Sequence, residues 1–207
     1  MNNHHYYTEN QENLKSNPNS YTFHYKNHKF IFTSDCGVFS KKYIDFGSYT
    51  LIDSFKPTVL DGTLLDVGCG YGPIGITLGV LYPNMQVTMV DINERGISLA
   101  KQNIVSNKAQ NVNVFKSNIF DSIPEDQKFQ YIFTNPPIRA GQKVIYEIYD
   151  KAFLHLLHGG ELWVVIQKKQ GAPSTKSHLE EVFGNCEIVS KEKGYFILKS
   201  VRRTIDK

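Results

Sequence analysis

From residue 63 onward the chain alternates short, largely apolar runs with longer stretches of helical periodicity, and this alternation restricts its fold more than any other feature. The runs at 64–67, 87–90, 112–115, 131–133 and 162–166 are too short to span a membrane, which takes about 18 apolar residues. They are continuous rather than alternating, the pattern of strands covered on both faces of a parallel sheet. Helical patterns at 73–81, 94–106, 143–157 and 175–183 separate them, which makes the class α/β with right-handed crossovers. The ending departs from this rhythm. Residues 187–191 and 195–201 flank a turn at Lys193-Gly194 and read as an antiparallel hairpin. Upstream, 21–25 and 30–33 are aromatic and β-branched around a loop at 26–29, an antiparallel ribbon, and 48–55 reads as a short amphipathic helix that Pro57 stops.

At 207 residues the chain has room for one domain. The expected division is a polar, partly mobile arm at 1–20, the ribbon and helix at 21–56, and a core at 57–207. The 41% of hydrophobic residues, with 13 Phe and 12 Tyr, suffice for a sizeable core and exclude disorder as the main state. Three cysteines are too few for a disulfide framework, and the first ten residues have neither the basic start nor the apolar segment of an export signal. A cytoplasmic protein without a membrane span is expected. Charge is uneven: the net values are +1 over 1–60, −3 over 61–127 and +5 over 128–207. A basic final third suits a phosphate backbone, although a solvated lysine face produces the same count.

The candidate ligand site begins where Leu64-Leu65-Asp66-Val67 runs into Gly68-Cys69-Gly70-Tyr71-Gly72, with Pro73 opening a helix at its first turn. Glycines there let backbone approach a bound molecule, and in open α/β sheets ligands sit outside the carboxyl ends of the strands. The dinucleotide fingerprint wants its third glycine at 73, which is proline, so NAD is disfavoured. Asp66, two residues before the first glycine, suits an amine better than a pyrophosphate, which points to S-adenosylmethionine. Asp91 ends the second run, where a carboxylate accepts hydrogen bonds from both hydroxyls of a ribose, or else helps start a helix capped by Asn93. Asn118, after the third run, offers a donor and an acceptor to an adenine edge.

After the fourth run comes Asn135-Pro136-Pro137-Ile138. Two prolines cannot continue a strand, so they fix a rigid loop at the same edge of the sheet. An exocyclic base amine is a poor nucleophile because its lone pair is delocalised into the ring. Carbonyl oxygens of the Asn135 side chain and the Pro136 backbone can accept its two hydrogens, localise the lone pair and aim it at a methyl sulfonium, with no strong base.

Asp66 to Gly72, Asp91 and Asn135 to Ile138 together resemble the class I S-adenosylmethionine-dependent methyltransferases that modify exocyclic or amide nitrogens. Asp35-Cys36-Gly37-Val38-Phe39-Ser40, Asp45-Phe46-Gly47-Ser48 and Asn135-Pro136-Pro137-Ile138-Arg139-Ala140-Gly141 narrow the resemblance to the small-domain, RsmC-like rRNA guanine-N2 methyltransferases. It implies a Rossmann-like methyltransferase fold: a seven-stranded, mostly parallel sheet with its last strand antiparallel, helices on both faces and an N-terminal β-hairpin. It implies that Asp66, Gly68, Cys69, Gly70, Asp91, Ile92, Asn118, Ile119 and Asn135 hold S-adenosylmethionine. Asn135, Pro136, Pro137 and Ile138 would act on a guanine amine of ribosomal RNA, free or in an assembling small subunit. Many such enzymes carry an aromatic residue where this chain has Ile138, so base stacking falls to Phe39 or Tyr43. The longer rRNA enzymes also carry an extra N-terminal domain for which this chain has no room.

Arg139, Lys168 and Lys169 follow the fourth and fifth runs and can reach RNA phosphates, or are solvated surface lysines and arginine. His155 and His158 lie three apart on the expected third long helix without a cysteine or acid at ligand spacing, so no metal is expected. Three alternatives keep the same loops: a protein-glutamine amide methyltransferase, a non-catalytic RNA-binding module, and a nucleotide-dependent oxidoreductase.

Overall fold

The computed structural model describes residues 16–36 and 43–203. A two-stranded ribbon, β1 (Asn19–Tyr25) and β2 (His28–Ser34), precedes α1 (Phe46–Ser54). The main sheet has seven strands: β3 (Thr63–Val67), β4 (Gln86–Asp91), β5 (Val112–Lys116), β6 (Phe129–Thr134), β7 (Leu156–Gln167), β8 (Glu187–Glu192) and β9 (Tyr195–Val201). Their order is β5-β4-β3-β6-β7-β9-β8. β3 to β7 are parallel, and β9 inserts antiparallel between β7 and β8. The chain leaves β3 toward β4 and β5, then returns to lay β6 on the other side of β3. The carboxyl ends of β3 and β6 therefore flank the topological switch point, where open α/β sheets bind ligands.

The apolar runs are buried on both faces because residues alternate between two cores. Leu64, Val87, Met89, Tyr131, Phe133 and Trp163 pack with the ribbon, α1, α2 (Pro73–Leu81) and α3 (Glu94–Ser106). Leu65, Val90, Ile132, Leu162 and Val164 pack with α4 (Gln142–His155) and α5 (Ala172–Phe183). Phe55, just past α1, meets Tyr131, Phe133 and Trp163 edge-on at 5.0, 4.8 and 5.4 Å between ring centroids, which pins α1 to the sheet. No helix among the described residues is long and apolar enough to cross a membrane.

Several boundaries differ from the sequence expectation. The ribbon turns at Lys26-Asn27 alone, with Tyr25 opposite His28, because Lys26 takes a left-handed backbone (φ 42°) and a two-residue turn closes the register. β1 starts at Asn19, two residues before the aromatic pattern. α1 starts at Phe46 because Asp45 caps it, its carboxylate accepting from Ser48 N at 2.9 Å. α5 begins at Ala172, ahead of the expected 175, with a proline in its first turn. The largest change is at 156–161. Leu156 pairs with Phe129, and Gly159 and Gly160 exchange hydrogen bonds with Arg202 at 2.8 and 2.9 Å. The segment is thus the start of β7, and His158 lies on a strand while His155 ends α4.

One side chain ties the ribbon to the rest. Asn103 of α3 is fully buried; its amide donates to Thr33 O and Tyr71 O, both at 2.9 Å, and its oxygen accepts from Thr33 N at 2.8 Å. Tyr21 adds a 2.8 Å hydroxyl contact to Tyr71. Asn103→Ala leaves three buried backbone groups unpaired, so we expect a loss of about 3 kcal/mol of stability in urea unfolding. A change below about 1 kcal/mol would mean that water satisfies those groups.

Candidate active site

The loop leaving β3 is built around two buried carboxylates. Asp66, 1% exposed, accepts a hydrogen bond from Gly75 N of α2 at Oδ2, 3.0 Å away. A Cβ at Gly75 would sit 2.5 Å from the Met89 sulfur, so only glycine lets α2 come this close. Asp66 Oδ1 is buried with no hydrogen-bond partner among the described residues. Asp91, at the end of β4, accepts from Gly70 N at 2.7 Å and from Asn93 N at 2.8 Å. Gly68 N and Cys69 N donate to Val90 O at 2.9 and 3.0 Å, so β4 holds the loop along its length. Burial, reinforced by the charge of Asp91, pushes the Asp66 carboxyl up to about 7. Burial also raises Asp91, and it raises the Cys69 thiol well above its usual range, which leaves Cys69 a packing residue rather than a nucleophile.

Gly68 and Gly70 have left-handed backbones (φ 75° and 56°), and a Cβ on either would meet nothing within 4 Å among the described residues. Side chains are excluded here by backbone conformation, and the space above stays open for a ligand. That space and the orphaned Asp66 oxygen fit a cofactor bearing an amine. The Asp91 carboxylate retains a lone pair beyond its backbone donors, which fits ribose hydroxyls. Asn93 caps α3, its side chain accepting from Arg95 N and Gly96 N, so Asp91 is not needed as the cap.

Val67 of β3 lies opposite Thr134 of β6, and the Thr134 hydroxyl donates to Val67 O at 3.0 Å. Gly68 and Asn135 therefore leave the sheet side by side. Asn135 is half-buried, and its amide nitrogen donates to Ser48 Oγ at 3.2 Å and to Asp45 Oδ1 at 3.4 Å. With the nitrogen engaged on α1, the Asn135 carbonyl oxygen has no donor among the described residues. The sequence offered Asp45 and Ser48 only as part of a family segment, with no role toward Asn135; the structure shows that they fix its amide. Their spacing is a visible helix-cap pattern, but nothing local connects residue 45 with residue 135.

The other candidates are dispersed. Pro136 and Pro137 are buried, and Ile138 packs partly against the α4–α5 core, so it offers no open platform for a base. Arg139 is exposed in the single turn Ile138–Ala140. The exposed Asn118 amide donates to Asp121 Oδ2 at 3.0 Å. Ile119 is buried in the core with a left-handed backbone (φ 53°), a strained state for a β-branched residue, and Ile92 is half-buried between Asp91 and Asn93. Tyr43 is 69% exposed, whereas Phe39 lies outside the described residues. Lys168 and Lys169 stand exposed past β7, one strand away from the Asn135 loop. His155 stacks on Phe120 at 4.8 Å and contacts Gln127 O at 3.0 Å, the environment of a packing residue.

The model of the family described as methyltransferase small domain matches residues 29–199. The Bacillus subtilis protein YbxB, described as uncharacterised, is 49% identical over 95% of this chain and 97% of its own length. Ribosomal RNA small subunit methyltransferase C of Vibrio cholerae is 31% identical over 86% of this chain and 51% of its own, so this chain spans about half of that relative. Among solved structures, the T. thermophilus 16S rRNA N2 G1207 methyltransferase RsmC, in complex with AdoMet and guanosine, superposes with a TM-score of 0.81. It shares 22% identity and covers 92% of this chain and 52% of its own, a likeness of fold.

The raised Asp66 carboxyl has a consequence for stability. Between its ordinary 3.8 and about 7 the folded protein keeps a proton that the unfolded chain has lost, so stability falls as pH rises through that window and levels off above it. Asp66→Asn keeps an acceptor for Gly75 N without the ionisation. We expect its Tm to decline less between pH 4 and 7 than that of the parent, measured by calorimetry without ligand; identical profiles would show that Asp66 ionises normally.

Proposed function

The chain belongs to the methyltransferase small-domain family, and from that premise we propose that it methylates the exocyclic amine of a guanine in small-subunit ribosomal RNA, with S-adenosylmethionine as donor. The single observation that carries the chemistry is the Asn135 amide, held by Asp45 and Ser48 beside the glycine loop with its carbonyl oxygen unpaired among the described residues. When bound, the cofactor supplies an electrophilic methyl group on a sulfonium. Asp66 and the loop at Gly68, Cys69 and Gly70 would hold its amino-acid end, and Asp91 with Ile92 its ribose. Asn118 and Ile119 would border the adenine.

The chain's own contribution is orientation. Asp45 accepts from the Asn135 nitrogen, and the reversed amide would set a carbonyl oxygen against a carboxylate, so the oxygen is directed to the substrate side. There it accepts one amine hydrogen, and the Pro136 carbonyl accepts the other. The nitrogen lone pair is then localised and aligned for in-line attack. The amine sheds its proton after transfer, so no strong base is required. The target guanine leaves its stack to enter the site, with Pro137 and Ile138 as one wall and Tyr43 or Phe39 as the stacking surface. Residues 57–207 would form the catalytic core, and Arg139, Lys168 and Lys169 would meet phosphates of the RNA in the cytoplasm.

The 31% identity with an rRNA enzyme, over 86% of this chain, supports RNA over a protein glutamine as substrate. Mapping nucleotide methylation in 16S rRNA from cells with and without this chain tests the reading: one N2-methylguanine should vanish in its absence. An unchanged rRNA, with methyl transfer to a protein instead, would replace it by the amide reading. In the purified enzyme Asn135→Ala should lower kcat about 100-fold or more while S-adenosylhomocysteine still binds. Unaltered turnover would remove Asn135 from the chemistry.

A further inference from the structure

A cleft of about 620 Å³ opens at the ligand edge of the sheet, lined by Gln167, Lys168, Lys169, Pro173, Lys193 and Gly194. Three of these six residues are lysines and none is an acid. Gln167 ends β7 three residues past Val164, the partner of Thr134 at the end of β6, so the cleft lies at the same edge of the sheet as the Asn135 loop, one strand over. The turn of the β8–β9 hairpin forms its far wall. Lys168 N donates to Gly194 O at 2.8 Å, which fixes that turn against the end of β7. Lys193 sits over the Phe46 ring at 4.5 Å, next to Asp45 and Ser48, which hold Asn135.

A second basic recess, of about 400 Å³, lies at the opposite edge, around the start of β7. Of its three cations Arg203 is exposed, while Lys128 and Arg202 are tied into the chain around them. Lys128 donates to Glu125 O at 2.7 Å, and Arg202 donates to Leu154 O and Leu156 O, so both serve the fold. Among the described residues Lys168 and Lys169 form no such bond, and Lys193 meets a ring face and no acceptor. Three like charges crowded around one cleft repel one another, and an anion between them removes that cost. Arg139 adds a fourth exposed cation on the adjacent loop.

We propose that this cleft binds a phosphate of the RNA strand beside the target nucleotide, with Lys193 of the terminal hairpin as its third cation. The inference rests on the RNA reading above and adds to it a place and an element. The hairpin tip both closes the cleft and covers the start of α1, so an RNA phosphate seated there would set the strand against the residues that orient the amine. Spaced phosphodiesters match a cleft lined by three ammonium groups, and exposed Tyr43, three residues before Phe46, provides the neighbouring surface for a base.

The test compares the parent, K168Q/K169Q/K193Q and the opposite-edge control K128Q/R203Q for binding of a labelled single-stranded RNA oligonucleotide across salt concentrations. S-adenosylhomocysteine binding, measured alongside, reports that each variant is folded. The triple variant should bind more than tenfold more weakly at low salt, with a plot of log affinity against log salt shallower by about 2, while the control keeps the parent slope. An unchanged slope, an equal loss in the control, or a parent that binds an acidic polypeptide but no RNA overturns the proposal. Methyl transfer to rRNA separates the two readings: if parent and triple variant methylate it with equal KM, the cleft assignment fails and the activity stands. If the parent methylates no rRNA, the activity fails, and the salt dependence still judges the cleft.

Discussion

Two carboxylates almost without access to water, at the ends of neighbouring strands, are the constraint from which the rest of the site follows. Asp66 and Asp91 are each stabilised by backbone N–H groups of the segments around them, from Gly75 for one and from Gly70 and Asn93 for the other. Burying a charge without partners is costly, so the glycine loop and the starts of α2 and α3 must converge on these side chains. The convergence forces the loop into left-handed turns that glycine alone adopts cheaply, and those turns leave the open space above it. Asp66 Oδ1 remains unpaired among the described residues. Stability is held back there, in keeping with a site that completes its hydrogen bonding with a ligand.

The second layer of organisation connects distant segments. Eight residues separate α1 from the sheet, yet its capping carboxylate and Ser48 reach the loop after β6 and fix the amide of Asn135. The clamp of Phe55 on Tyr131, Phe133 and Trp163 keeps α1 in place to do so. The ribbon is joined to the glycine loop by Asn103 and the Tyr21–Tyr71 contact. An N-terminal segment of modest size therefore borders both halves of the site, and the terminal hairpin borders it from the other side through Lys193 and Tyr195 on Phe46. Parts from both ends of the chain meet at one rim of the sheet.

Much of this was legible in the sequence. The strand and helix order from 63 to 201 could be read from apolar runs and periodicity, because strands buried on both faces must be apolar throughout. Segments whose pairing partners are remote were not legible. Residues 156–161 read as helix end and loop because His158-Gly159-Gly160 has no strand propensity, yet Arg202 and Phe129 supply ladder partners that override it. Asn118 was expected to offer its whole amide to a ligand, and a single neighbouring acid, Asp121, takes part of it. Ile138 interrupts the expected aromatic position, and its side chain turns partly to the core.

By itself the sequence determined the composition of the site: an acid before three closely spaced glycines, an acid after the next strand, and an asparagine before two prolines. These are local patterns, fixed by backbone conformation and strand ends within a few residues. It took the folded chain to set the glycine loop and the Asn135 loop side by side, to orient the amide through Asp45 and Ser48, and to bring Lys193 to Lys168 and Lys169 around one cleft. Such pairings depend on strand order and helix placement, which arise from burying two apolar faces at once and leave no trace in the spacing of residues along the chain.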